Sequence, residues 1–118
     1  MWDFSCRDWA DRLRNGRSLV PTLPLDRDKA DRAVKIFDKL CVPDIVGQPP
    51  LREAAGEWFR DIIRVTFGSL DDAGVRHVPG IFALVPKKNG KTTYGAALMV
   101  TALLTNDVPR AELLFVAP

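Results

Sequence analysis

One histidine and two cysteines in 118 residues leave this chain short of the side chains from which metal centres and thiol chemistry are built. Cys6 and Cys41 lie far apart, and neither has a second Cys or a His at ligand spacing. That excludes a zinc site assembled from a local ligand pair. The two thiols read as reduced and structural, in an intracellular protein. No stretch approaches the roughly 20 consecutive apolar residues needed to cross a bilayer. Met1 to Ala10 mixes acidic, basic and aromatic residues, with no apolar run of the kind a signal peptide carries. The sequence therefore predicts a cytosolic protein with no membrane segment. An excess of one charge is missing too. Seventeen basic against 15 acidic residues leave a net +2, so composition alone makes no case for a nucleic-acid surface. There is no internal repeat and no low-complexity tract.

What is present is ordinary for a globular protein: 47% hydrophobic and 27% charged residues, in a length that suits one small domain or part of a larger one. Ser5 and Asp8 resemble a capping box opening a short helix through Arg14, closed by Asn15-Gly16. Arg12, Arg14 and Arg17 alternate with Asp8 and Asp11, which favours a solvated helix face over a DNA contact. Leu19 to Leu25 holds two prolines and reads as a loop. From Asp26, the residues Ala30, Ala33, Val34, Phe37 and Leu40 recur at three- and four-residue steps, with charges opposite; this is an amphipathic helix. Pro43 to Pro50 carries three prolines and a glycine and marks a boundary, dividing a helical region over residues 1–48 from a second region over 49–118. A second helix comes next, with Leu51, Ala55, Trp58, Ile62 and Val65 as its apolar stripe and Arg52, Glu53, Arg60, Asp61 and Arg64 outside. Gly68 is expected to end it in a left-handed conformation.

Beyond Gly68 the character changes. Ser69 to Gly74 is turn-rich, and Val75 to Val78 suggests a short edge strand. Ile81 to Val85 is an unbroken apolar run, as expected for a strand covered on both faces of a parallel sheet. A polar turn, Pro86 to Lys91, leads into a helix over Thr92 to Leu104, and Leu113 to Val116 reads as a second buried strand. The predicted fold class is α/β: a helical N-terminal preface followed by the first βαβ unit of a phosphate-loop sheet. A parallel sheet with one crossover rarely stands alone, so the pattern reads as one cut off after its second strand.

The motif that carries chemistry is Pro86-Lys87-Lys88-Asn89-Gly90-Lys91-Thr92. In a phosphate-binding loop the amides of a tight turn wrap the phosphates, and the helix after the turn adds its N-terminal N–H groups and the positive end of its dipole. Pro86, Lys88, Asn89 and Gly90, with the amides through Thr93, would form that cradle. Lys91 would reach the β and γ phosphates of ATP, and the Thr92 hydroxyl would hold Mg²⁺. The usual pattern asks for a glycine where Val85 stands. A Gly-Lys-Ser/Thr triplet arises by chance in roughly one chain in twenty of this length, so its placement between strand and helix is what raises its weight. The alternative is a basic turn with no ligand. His77 and the Asp71-Asp72 pair read as ordinary surface groups.

The string Ile81 to Thr92 resembles the deviant phosphate loop of phage terminase large subunits of the lambdoid, HK-type group, where the first glycine is commonly absent. Gly47-Gln48-Pro49, the helix ending Thr66-Phe67-Gly68 and the run Leu113 to Pro118 are similar to the same family, so the resemblance covers about Ile45 to Pro118. It implies an ATPase of the DNA-packaging motor, phage- or prophage-encoded in a bacterial cytoplasm. Its implied partners are double-stranded phage DNA, the small terminase subunit, the portal and the procapsid. Lys91 and Lys87 would be the catalytic cations, although relatives often carry arginine where Lys87 stands, and a lysine offers charge without the planar fork. Trp58 matches the family's tryptophan, but Phe59 replaces the glutamine that contacts adenine. The acidic strand end that holds Mg²⁺ and the nuclease carboxylates have no counterpart in the chain. The expectation is a fragment that binds nucleotide weakly or not at all and does not turn it over. Two rivals are a piece of another phosphate-loop ATPase, and a non-catalytic prophage remnant or adaptor whose basic turn binds phosphate.

Overall fold

The computed structural model of the protein describes residues 6–20 and 22–116. Among them are five helices: α1 (Trp9–Arg14), α2 (Arg27–Lys39), α3 (Leu51–Ala54), α4 (Glu57–Gly68) and α5 (Lys91–Leu104). β-type pairing among the described residues is confined to two isolated antiparallel bridges, Cys41 with Pro50 and Leu70 with Arg76.

The expected α/β fold is therefore wrong. The described residues contain no sheet, and neither Ile81–Val85 nor Leu113–Val116 makes a backbone–backbone hydrogen bond among them. Their side chains are not covered: Phe82 is 92% exposed and Leu114 80%. An apolar run reports a tendency to be buried but does not supply a neighbour. A parallel strand exists only when a second strand completes its ladder and helices cover both faces. Here the helices pack on one another instead. The edge strand expected at Val75–Val78 likewise shrinks to the single bridge at Arg76.

The core lies where α2 crosses α4, joined by α3 and one side of α5. Helix α2 forms as its periodicity predicts. Asp26 caps it by accepting from the Lys29 amide at 3.1 Å, and Asp28 and Lys39 sit at the ends that the helix dipole favours. Ala30, Ala33 and Phe37 are buried. Phe37 stacks on Phe59 with ring centroids 5.7 Å apart.

The single helix expected from Leu51 onward is two. Ala55 and Gly56 are extended, with ψ near 144° and 151°, and this break shifts the register of α4. The buried stripe runs Phe59, Ile63, Phe67, where the sequence suggested Trp58, Ile62, Val65. Arg60, expected outside, turns inward. Its guanidinium donates to Asp38 on α2 at 2.8 Å and to the carbonyls of Leu51 and Ala55, each at 3.0 Å. One side chain thus satisfies backbone acceptors of the α3–α4 elbow and ties that elbow to α2.

Gly68 also has a different role from the one expected. It is the last residue of α4, not a left-handed cap. A Cβ there would lie 2.6 Å from the Ala30 Cβ and 3.1 Å from the Asp26 carbonyl oxygen. Its own carbonyl accepts from the Asp26 amide at 2.8 Å. Gly68 therefore sets the distance of closest approach between α4 and the start of α2.

Helix α1 begins at Trp9. Ser5 of the expected capping box lies outside the described residues, and the Asp8 side chain at the N-cap does not cap the helix amides. Asp8 instead accepts from Arg12 Nε at 2.9 Å. Gly16 takes a left-handed φ of 61°, in line with the turn expected at Asn15-Gly16. No helix among the described residues is long and apolar enough to cross a membrane.

Candidate functional site

Helix α5 is placed by small residues. Ala97 and Thr101 are its buried positions, and the Thr101 hydroxyl donates to the Ala97 carbonyl at 2.8 Å, so the helix approaches α2 without a buried polar group left open. Its start is one residue earlier than expected, at Lys91, with Gly90 as N-cap. The turn before it passes through two left-handed residues, Lys88 at φ 65° and Gly90 at φ 73°. Lysine in that region is uncommon. The Asn89 side chain braces the turn by donating to the Pro86 carbonyl at 3.0 Å and, at 3.4 Å, to that of Lys87.

No side chain caps α5. The first intrahelical bond runs from the Tyr94 amide to the Gly90 carbonyl at 2.8 Å, so the amides ahead of it, those of Lys91, Thr92 and Thr93, are the ones a helix leaves open at its N-terminus. They and the dipole of a 14-residue helix give this end a positive potential. Tyr94 locks the turn to the rest of the fold. Its hydroxyl donates to the Ala54 carbonyl at 3.2 Å, and its ring lies against Gly90, where an added Cβ would come within 2.8 Å of Cζ. Gly90 is thus required twice, by its φ and by the ring. Trp58 continues the aromatic contact, meeting Tyr94 at 6.0 Å and Phe59 at 5.4 Å, both edge-on.

The expected site residues do not all converge. Lys88, Asn89, Gly90 and Thr93 line one groove of about 370 Å³, closed on its far side by Val42, Ile45, Ala54, Gly56, Trp58 and Tyr94. Lys91 lines a separate cavity, and its ammonium donates to the Val85 carbonyl at 3.3 Å. Pro86, Lys87 and Thr92 are exposed and line neither cavity. Among the described residues no group of three or more His, Cys, Asp or Glu side chains could hold a metal ion, so Thr92 is the sole position to which the motif assigns a role toward Mg²⁺.

Sequence reasoning missed the far wall of the groove. Tyr94 stands four residues after Gly90, and that spacing puts its ring over the glycine once the helix is granted. Ile45 and Val42 come from a proline-bracketed loop whose position no local pattern gives.

Comparison with protein-family models, with curated proteins and with solved structures finds no match for this chain.

Proposed function

We propose that the turn Pro86–Gly90 and the first turn of α5 bind the phosphates of a nucleotide, ATP with Mg²⁺, in a chain that acts as the nucleotide-contacting part of a terminase-like DNA-packaging ATPase. The observation that carries this reading is the pair of left-handed residues, Lys88 and Gly90, feeding a long helix whose first amides no side chain caps. Amides pointing one way at a helix start, beside exposed lysines, favour a polyanion. The groove lined by Lys88, Asn89, Gly90 and Thr93 leaves space beside the turn for the remainder of a nucleotide.

In this reading Lys91 releases the Val85 carbonyl when ligand enters, and its ammonium moves to the phosphates. The 3.3 Å contact is long and exposed, so a charge-assisted bond to phosphate outweighs it. Thr92 offers its hydroxyl to Mg²⁺, and Lys87 adds charge at the rim. The groove lining includes no carboxylate, so no general base stands beside the turn to position an attacking water, and the expected behaviour is binding without turnover. DNA, the small terminase subunit, the portal and the procapsid enter as partners through the sequence resemblance.

Titration calorimetry of the purified chain tests the reading, with Mg·ATP, tripolyphosphate and sulfate as ligands. The expected result is weak Mg·ATP binding, with Kd on the order of 0.1–1 mM, lowered in affinity about tenfold or more in Lys91→Ala. Equal affinity for sulfate and Mg·ATP would instead favour a general anion-binding turn. No heat with any of the three ligands would overturn the reading.

A further inference from the structure

Helix α4 leaves one large side chain out of the core. Its buried stripe runs through Phe59, Ile63 and Phe67, while Trp58 falls beside that stripe and is 39% exposed. A tryptophan left partly in solvent forgoes one of the largest apolar contributions a side chain can make. Its indole lies over Gly56, where an added Cβ would come within 2.7 Å of Cδ1. The glycine thus makes room for the ring at this place.

That place is the far wall of the groove beside the phosphate turn. From Gly90 the path to Trp58 is one ring long: Tyr94 packs on Gly90, and the Tyr94 and Trp58 centroids are 6.0 Å apart. Polarity falls along this path. Lys88, Asn89 and Thr93 stand at the turn, whereas Val42, Ile45 and Trp58 belong to the wall. A polyanion at one end and a flat aromatic ring at the other is the chemistry of a nucleoside triphosphate. The groove's volume of about 370 Å³ lies in the range of small-ligand sites.

The wall has little with which to tell one base from another. The Tyr94 hydroxyl is already given to the Ala54 carbonyl at 3.2 Å. The Asn89 amide nitrogen is likewise given to the carbonyls of Pro86 and Lys87. What the wall side chains still offer is aromatic and aliphatic surface, with the indole N–H as their remaining donor. Every base carries an acceptor for such a donor. Strong discrimination needs polar groups that one ligand satisfies and another leaves unpaired, and an apolar surface yields only small ratios. Contact with an aromatic ring is open to all bases, because each has a π-face.

We propose that Trp58 is the base-contacting residue of this groove, and that the groove takes nucleoside triphosphates with little regard to the base. This role rests on phosphate binding at the turn before α5.

Titration calorimetry with ATP, GTP, CTP and UTP tests it, each with Mg²⁺, and with tripolyphosphate as the base-free probe. The nucleotides are expected to bind within about fivefold of one another, and each at least about fivefold tighter than tripolyphosphate. Trp58→Ala should bring every nucleotide down to the affinity of tripolyphosphate, while tripolyphosphate itself stays within about twofold of its wild-type value. A chain that had merely lost its fold would not give that split. Trp58→Phe keeps a ring and should restore most of the lost affinity. Tripolyphosphate binding as tightly as the nucleotides, or one base preferred by more than about 30-fold, would overturn the role of Trp58 and leave phosphate binding standing. Nucleotide affinity unmoved by Trp58→Ala would do the same. No heat with any of these ligands would overturn phosphate binding and the base contact together.

Discussion

Residues 27–68 and residues 78–116 are two kinds of structure in one chain. The first stretch buries what its sequence asks it to bury: Phe37, Leu51, Phe59, Ile63 and Phe67 meet in one core, and each guanidinium nitrogen of the buried Arg60 has a hydrogen-bond partner. The second stretch carries the more apolar local sequence yet leaves Phe82, Leu84, Leu114 and Val116 largely in solvent. Apolar content therefore does not decide where a core forms. Periodicity does, because a helix stripe can be buried by a neighbouring stripe at once. A uniformly apolar run must wait for strands on both sides. The first stretch supplies most of the core, and the second supplies the turn before α5 and much of the exposed apolar surface.

Core truncations should give the largest break in this comparison. Phe37→Ala removes a fully buried ring that stacks on Phe59 and should cost about 4 kcal/mol in urea unfolding. Arg60→Leu should come close behind. It leaves Asp38 half-buried without its partner and two carbonyls without their donor, for a loss of about 3 kcal/mol. Gly68→Val forces α4 away from Ala30 and the Asp26 carbonyl, with an expected loss of about 2 kcal/mol, read from the same unfolding curves. On the other side of the comparison, Phe82→Ser should change monomer stability by no more than about 0.5 kcal/mol, because its ring is already solvated. A cost near that of Phe37→Ala would erase the distinction between the two stretches.

The smallest effect concerns Asp8. Its hydrogen bond from Arg12 holds the carboxyl below the usual carboxylate range. A depressed carboxylate stabilises the fold above its unfolded-state pKa, and that contribution is lost as pH falls through the lower folded value. Helix α1 should therefore loosen in acid, with Asp8 titrating late in an NMR series. Arg12→Ala should return its titration to the ordinary range with little change in global stability. Arg64 shows the opposite balance. Burial works against its charge, but Glu57 and Asp61, each at 2.8 Å, outweigh this and raise its pKa, so it stays charged across the working range.

How much of this was legible in the sequence differs between the same two stretches. Helix α2 was readable from Ala30, Ala33 and Phe37 because three- and four-residue spacing has one structural meaning. The start of α5 was readable too, since Gly90 before an Ala- and Leu-rich run marks a helix entry. The break at Ala55-Gly56 was not. Alanine favours helix, and the extended backbone there is held by Arg60, a residue that looks like a surface charge until its partners are known. That one break moved the stripe from Trp58, Ile62 and Val65 to Phe59, Ile63 and Phe67. Gly68 was misread for a related reason: a glycine at a helix end can serve φ or close approach, and only the position of Ala30 decides. The two strands failed for want of a partner, which no local pattern encodes. Within the site, the turn and its glycine were foreseen, whereas the contact of Lys91 with the Val85 carbonyl and the wall made by Ile45 and Tyr94 depend on tertiary placement.

Hydrogen–deuterium exchange with and without Mg·ATP measures the division between the two stretches most directly, because it reads both at once. Slow exchange is expected across α2 and α4 in the free chain, unchanged by ligand. The amides from Lys88 to Thr93 should gain protection when ligand binds, and lose that gain in Lys91→Ala. Protection that appears in α2 and α4 while the turn before α5 exchanges as before would contradict both the division and the assignment of the site.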